Sequence, residues 1–598
     1  MKTDFSDERQ RAEQKLAQEV TADFEARRAE RMKLERKWQL NINFIGGNQY
    51  CGINAAGDIE EEEKSYGWRP RRVFNRIAPT VELRCAKLAR IRPALSVRAA
   101  SEEECDRAAA ALSAAVLASA AESCDLEGAL SKATNWSESC GTAFYKVVWN
   151  NSGGAVIGGT EQGDRLFEGC VQVEAVSPFE IYPYSLEEES VEAQPSIVQA
   201  RALPVQDVAA AYGVELAGDI SEGAGSPQPA VRKGYVTVIE RYCRPTAELP
   251  EGRFSVVAGG RVLFDGALPY KNGREGERGY PFIKQVCMPL AGSFFGASVV
   301  ERMIPVQRAY NAVRNRKHEF LNRISMGTVA VEEGSVDADD LAEDGLRPGK
   351  VIVYRQGGKP PEMLTLGTLP ECFEREEETL RDEFAAISGT GDITQNGDAF
   401  SSVTSATGLQ LLVEQDDARL NVCYDSIKQA LKSVGRHILR LYRQFALGAR
   451  LVKAEGGMHC YCGADITCDD VVLESDSDIN LTPAERSNVV YELIDNGLLS
   501  DEDGNMSRAV KNEVLAFIGY GSFACGRDIK GMHAARAARE NAEFAGGVPE
   551  VNDYDDHEVH IQEHTAYLLS GRCPKEAEKN VCEHIKIHRQ KSKEDANG

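Results

Sequence analysis

The chain predicts an α+β fold that is predominantly helical, on three observations. Apolar residues recur at helical spacing over long stretches, above all between Leu420 and Phe445. Only residues 142–290 carry sustained strand-like alternation. A short β unit of roughly forty residues interrupts two helical patterns near 298–326 and 370–388.

Residues 5–40 are densely charged, with Phe24, Met32, Leu34 and Trp38 as apolar punctuation, and read as one long surface helix. "RRVFNRIAPTVELRCAKLARIRPALSVRAAS" gives a helix from about Pro79 that stops before Pro93. Ala-rich helices follow at about 103–121 and 125–139. The period then changes: "TAFYKVVW", "GCVQVEAV", "YVTVIERYC", "RFSVVAGG" and "PFIKQVC" are β-rich, with a short helix near 204–213 between them. Helix returns at about 298, with Pro305 a kink or a boundary. "TVAVEE", "KVIVY" and "EMLTL" read as short strands around the acidic loop "SVDADDLAEDGLRPG". A charged helix at about 370–387 leads to the polar run "SGTGDITQNGDAFSSVTSATG", and long loops in compact proteins are usually functional. Beyond it, Leu420, Tyr424, Ile427, Leu431, Val434, Ile438, Leu441 and Phe445 are spaced 4, 3, 4, 3, 4, 3, 4. This heptad stripe fits either a core helix or a helix packed lengthwise in a large assembly. The tail after 484 is helical again, with Thr482 and Pro483 opening it and Gly497 closing its first helix.

Bulk composition narrows the function classes. The 598 residues carry a net charge of −24, so the chain as a whole repels DNA, and any contact with nucleic acid is local or weak. "MKTDFSDERQRAEQK" has no apolar core, and "AAAALSAAVLASAA" is too short and Ala-rich to span a bilayer, so a soluble cytosolic protein without a membrane partner is expected. The 16 cysteines follow no repeat and read as small buried hydrophobes. "HCYCGADITC", with His459, Cys460, Cys462 and Cys468, lacks C-x-x-C spacing and reads as a strand and a turn. No phosphate-binding loop occurs: "GLRPGKV" has three residues between Gly345 and Gly349 and a Val after Lys350. There is no G-x-S-x-G turn. No enzymatic activity and no cofactor are expected.

One motif favours chemistry. His560-Ile561-Gln562-Glu563-His564 is an H-x-x-E-H pattern, and two histidines four apart share a helix face that can hold zinc. His557 shares that face but lies about 10 Å from His564 along the axis, so one ion would reach two of the three. A third ligand would come from Glu576, Glu578 or Glu583 downstream. The competing reading is a polar, solvated or subunit-facing helix, with at most a pH-sensitive contact between subunits, and no metal is the expectation here.

The order helix, β insertion, helix, polar loop, long helix is similar to the centre of bacteriophage portal proteins, the head-to-tail connectors, of podovirus-like type. The stretch "RRVFNRIAPTVELRCAKLARIRPALSVRAAS" resembles theirs in having an Asn-containing entry to a helix that ends at Arg-Pro. "CGTAFYKVVWN" resembles the strand that follows and "VSPFEIYP" a wing strand, although an Asp often found just after it is absent. "GASVVERMIPVQRAYNAVRNRKHEFLN" resembles the entry to the first stem helix, with Gln307 and Asn311 at matching places. The resemblance covers about 35–450.

It implies a portal-type fold assembling as a ring. The wing would be 1–297, stem helices 298–326 and 370–388, the clip 327–369 and the tunnel loop 389–406. A long wing helix with return strands would fill 407–483 and a helical crown 484–598. The ring, commonly of twelve copies, would sit at one capsid vertex, conduct double-stranded DNA non-specifically for packaging and ejection, and be assembled in the host cytoplasm. Its partners would be other copies of itself, the terminase large subunit, a tail adaptor, and major capsid and scaffold proteins. From Asp382 to Ala418 there is no Lys or Arg against seven acids, which suits a channel that must release phosphates. Thr390, Asp392, Thr394, Gln395 and Asn396 would touch DNA, with Gly389, Gly391 and Gly397 lending mobility. Arg314, Arg316, Lys317 and Arg323 would supply weak positive rings in the channel or salt bridges to neighbouring subunits. Asp337, Asp339, Asp340, Glu343 and Asp344 would form the docking loop of the clip. Two other readings remain: a zinc metallohydrolase, or another large virion assembly protein.

Overall fold

The structure is a computed structural model. It describes residues 2–595 apart from 63–70, 90–94, 102, 160–164, 217–220, 223–230, 274–275, 327, 335–351, 365–368, 390–418, 455–456, 474–482, 500–505, 507–509, 512–513, 516–528, 545, 553, 570–572 and 576. It divides into two units, Met1–Ile479 and Asn480–Gly598.

The first unit opens with α1, Lys2–Ile45. This helix is not confined to the surface. Leu16, Ala17, Val20 and Phe24 pack against Tyr182, Val198, Ala200, Ile239 and Val257. Trp38 meets Phe179 and Phe295 edge to face. Its basic residues go inside as well. Arg31, 1% exposed, sets its guanidinium 3.6 Å over the Tyr182 ring and donates at 2.8 Å to the carbonyls of Pro178 and Phe179. Carbonyl acceptors and an aromatic face compensate the desolvation that would otherwise exclude an arginine from a core.

Helix α2 (Ile77–Leu88) precedes the Ala-rich pair α3 (Glu104–Ser123) and α4 (Leu126–Cys140). No single described helix is long and apolar enough to cross a membrane; α3 and α4 pass that test only together, bent by 66°. Their apolar faces are used inside the protein: Val116, Leu117, Leu126 and Leu130 join the largest core. Gly141 ends α4 at φ 89°, where a Cβ would lie 2.3 Å from the Gly296 carbonyl oxygen, so only glycine fits the turn into the next strand.

That strand, Thr142–Asn150, is central in a three-stranded antiparallel sheet between Phe282–Val286 and Cys170–Val176. A second antiparallel sheet runs in the order Arg261–Gly266, Arg253–Ala258, Tyr235–Cys243, Ser196–Pro204, Ile181–Pro183. Helix α5 (Val205–Tyr212) follows Ser196–Pro204 directly. A buried ion pair ties the two sheets: Lys146 donates at 2.6 Å to both Glu240 and Gln199, and the Tyr242 hydroxyl donates to Glu240 at 2.7 Å.

Helix α6 (Val299–Met326) runs through Pro305 rather than starting after it; the proline sits in the second turn. A two-stranded ladder, Thr328–Ala330 with Glu362–Leu364, separates α6 from α7 (Cys372–Ser388). "KVIVY" does not pair into this ladder where it is described: residues 352–354 carry no strand, and Val353 is 80% exposed. Val300, Met303 and Ile304 of α6 pack with Leu380 and Phe384 of α7, over Ile77 and Val81 of α2.

Helix α8 is described over Asn421–Phe445. Every stripe residue from Leu420 to Leu441 is buried in the protein's own core, beside α3, α4 and the three-stranded sheet. The stripe is therefore not an interface between subunits: its apolar area is already covered within one chain. Gly435 brings α8 against Val471, whose strand pairs with Leu95–Val97.

The second unit holds α9 (Pro483–Asp495), α10 (Ile529–Glu543), α11 (His557–Leu569) and α12 (Glu578–Asp595). Phe544, Ala577, Val581 and Ile585 form its apolar core among the described residues.

Candidate functional sites

The α6–α7 pair carries the first candidate site. Gln307, Asn311 and Asn315 lie four apart on one face of α6. Their side-chain oxygens accept from the backbone N–H groups of Arg76, Phe74 and Arg72, at 2.9, 2.9 and 3.0 Å. Four helical residues rise about 6 Å and two extended residues about 6.6 Å, so an antiparallel extended strand stays in step with such a face. Gln307 and Asn315 also donate to the Phe74 and Arg72 carbonyls, and Asn311 donates to Gln49 at 2.7 Å. The helix edge thus behaves like a neighbouring strand for residues 72–76. Asn75 completes the entry: it donates to the Ile45 carbonyl and accepts from the Ala78 N–H at the start of α2.

On the other side of α6, Glu377 of α7 gathers cations. Arg314 and Arg381 reach its Oε1 at 2.9 and 2.7 Å, and Lys317 reaches Oε2 at 3.3 Å. Burial alone would raise the Glu377 carboxyl, but Arg314 and Lys317 outweigh it and hold it below its ordinary value. Two of the four bases singled out in the sequence are therefore engaged within the chain. Arg316 is exposed, and nothing is described of the Arg323 side chain. A third arginine, missed in the sequence, secures the exit from α7. Arg84 pairs with Glu138 at 2.6 Å in the core and donates to the Ser388 carbonyl, one residue before the left-handed Gly389. Thr390, Asp392, Thr394, Gln395 and Asn396, with Gly391 and Gly397, lie outside the described residues, as do Asp337, Asp339, Asp340, Glu343 and Asp344.

The second candidate site is in the Asn480–Gly598 unit. His560 and His564 do lie on one helix, α11, but the polar-face reading fails: both are fully buried, and His557 is nearly so. They face His584 and His588 of α12, again four apart, and Glu540 of α10. Glu540 Oε2 stands 3.2 Å from His560 Nδ1, 3.6 Å from His564 Nε2 and 3.7 Å from His584 Nε2. His584 Nε2 and His588 Nε2 are 3.0 Å apart. Burial, then the neighbouring imidazoles, push His564 down to about 4 and His588 to about 3. Glu563, the acid of the H-x-x-E-H, is not in this group, and neither are Glu578 and Glu583, while Glu576 lies outside the described residues; the acid comes from 20 residues upstream of His560. His459 and Cys460 lie on the strand Gly457–Tyr461, with a 3₁₀ turn after it.

Amide ladders, buried ion pairs and long packed helices hold the first unit together. Residues 246–457, which include α6, α7 and α8, match the family model described as Phage P22-like portal protein. Over that stretch the chain is similar to phage P22-like portal proteins, and the match supports a phage portal protein. The family is structural rather than enzymatic, and it implies homo-oligomeric assembly as a component of the virion capsid. No curated protein matches the chain.

Proposed function

We propose that the protein forms a closed ring at one capsid vertex, commonly of twelve copies, through which double-stranded DNA is packaged and ejected. What supports this is the succession α6, short ladder, α7 and α8 inside the stretch that matches the portal family model. In this reading α6 and α7 are the stem, 327–369 the clip, 389–406 the tunnel loop, 407–483 the long wing helix with its return strands, 1–297 the wing and 484–598 the crown. The tunnel loop meets DNA through Thr390, Asp392, Thr394, Gln395 and Asn396. Its lack of basic residues keeps phosphates from being held, since each phosphate contact releases counterions and strengthens binding. Arg316 and Arg323 are the stem bases left to face DNA once Glu377 has engaged Arg314 and Lys317. Asp337, Asp339, Asp340, Glu343 and Asp344 present an acidic clip to the terminase large subunit and later to the tail adaptor. A separate motor supplies ATP hydrolysis, in line with the missing phosphate-binding loop. Major capsid and scaffold proteins surround the ring, which is assembled in the host cytoplasm.

Negative-stain images of the purified full-length protein test the reading. Closed rings with an axial hole are expected, and dispersed globular monomers overturn it. Deleting 390–397 is expected to leave rings intact while impairing DNA packaging or retention.

A further inference from the structure

We propose that Glu540, His560, His564, His584 and His588 form a binding site for one divalent transition-metal ion, with zinc as its occupant, that staples three helices of the Asn480–Gly598 unit. One ligand atom from each residue lies within 4.8 Å of every other, and all five residues are buried. Donors about 2.0–2.1 Å from a common zinc stand about 3.3 Å apart in a tetrahedron and closer at higher coordination. The separations of 3.0, 3.2, 3.6 and 3.7 Å bracket that value.

The polar accounting points the same way. Glu540 Oε2, both ring nitrogens of His560 and His564 Nε2 have no hydrogen-bond partner, although their residues are more than nine-tenths buried. Buried polar atoms without partners are rare and costly, and a cation satisfies several at once. The outer contacts are those of a ligand set. His564 presents Nδ1 to Asn541 Oδ1 at 2.7 Å, leaving Nε2 to face inward. His588 Nδ1 meets His557 Nδ1 at 2.9 Å, leaving its Nε2 inward. Arg536 holds Glu540 by Oε1 at 3.0 Å, so Oε2 is the oxygen turned to the imidazoles. Second contacts of this kind fix ring orientation and tautomer around metals.

The donor chemistry selects the ion. Imidazoles with one carboxylate and no thiolate suit zinc, copper, nickel or cobalt over calcium or magnesium. Five buried protein donors close the sphere, as in a structural site; a hydrolase needs an open position for water. The Asn480–Gly598 unit also benefits from a staple, because its described apolar cluster is built on four buried residues, Phe544, Ala577, Val581 and Ile585.

Metal analysis of the full-length protein, produced with zinc in the medium and freed of loose metal by gel filtration, decides the matter. About one zinc per chain is expected in the wild type and none in the His564→Ala/His588→Ala double variant. Should that variant lose its helical circular dichroism, Glu540→Gln is read instead. It keeps all four imidazoles and is expected to lose zinc to a competing chelator at least about tenfold more readily. Cobalt added to chelator-stripped protein is expected to show visible ligand-field bands without a thiolate charge-transfer band. Wild-type protein that neither retains zinc nor takes up cobalt overturns the proposal. So does a folded double variant that still holds one equivalent, or a thiolate band, which would move the ion to the cysteines. Ring formation is scored separately by microscopy, so failure here leaves the portal reading untouched.

Discussion

Asn311 satisfies groups on two different segments: it accepts from Phe74 and donates to Gln49, with 2% of its surface exposed. Replacing it with leucine strands a half-buried N–H and a buried amide oxygen. Asn311→Leu is expected to lose about 2–4 kcal/mol in denaturant unfolding, whereas Asn315→Ala, nearer solvent, loses under about 1 kcal/mol. Gly141→Ala meets both a positive φ and the Gly296 carbonyl, and a loss of about 2 kcal/mol or more is expected in the same measurement. At this scale the sequence was legible in identity and opaque in purpose. Gln307 and Asn311 stood out by resemblance, yet their partners lie more than 200 residues away in the chain. His560 and His564 stood out by spacing, which is local. Glu540, His584 and His588 join them only through packing of three helices, which no spacing encodes.

Helix α7 holds its acid against α6 cations, and this gives the pair a pH dependence with a definite sign. The Glu377 carboxyl is held below its ordinary value of 4.5, so its contribution is present above that pH and fades as pH falls through the lower folded value. Thermal unfolding of Glu377→Gln is therefore expected to fall less steeply than wild type below about pH 4.5. The stripe of α8 gives a second test. Leu431 is fully buried in its own chain, and Leu431→Ala is expected to cost about 2–5 kcal/mol in rings and in dispersed subunits alike. A stripe that served subunit contacts would instead weaken rings while sparing the subunit fold. The amphipathic α8 was readable because one period dominates it, and the strand Thr142–Asn150, although its first six residues are buried, because Phe144, Tyr145, Val147, Val148 and Trp149 are strong strand formers. The strand Ser196–Pro204 was not. Its first five residues are likewise buried on both faces, so alternation is absent, and it carries no aromatic and only two β-branched residues to mark it as a strand. The long α1 was readable as a helix but not as a buried one, because Arg27 and Arg31 look like surface residues until carbonyl partners are in place.

The whole chain carries −24, and a ring repeats that charge once per copy. Association between copies then works against mutual repulsion that salt relieves. Ring yield in images is expected to rise between about 10 mM and 150 mM salt, a range over which the screening length shortens from about 30 to 8 Å. The gross order of helices and strands was legible in the sequence because it is written in local periods. The assembly was suggested by that order together with the stretches that resemble portal proteins, since no single residue pattern marks a ring.

The amide face of α6 engages residues 72–76 through their backbone groups, while the Phe74 ring stacks on His318 and Arg76 lies over the Tyr310 ring. Arg72 can therefore exchange its side chain without disturbing the ladder, provided it does not become proline, whereas Phe74 and Arg76 also hold α6 by their side chains. Length is another matter. Removing or adding one residue in this stretch shifts the N–H groups out of step with side chains spaced four apart. The segment is thus tolerant of substitution at Arg72, less so at Phe74 and Arg76, and intolerant of insertion or deletion throughout, a pattern that a library of both kinds of variant would display directly.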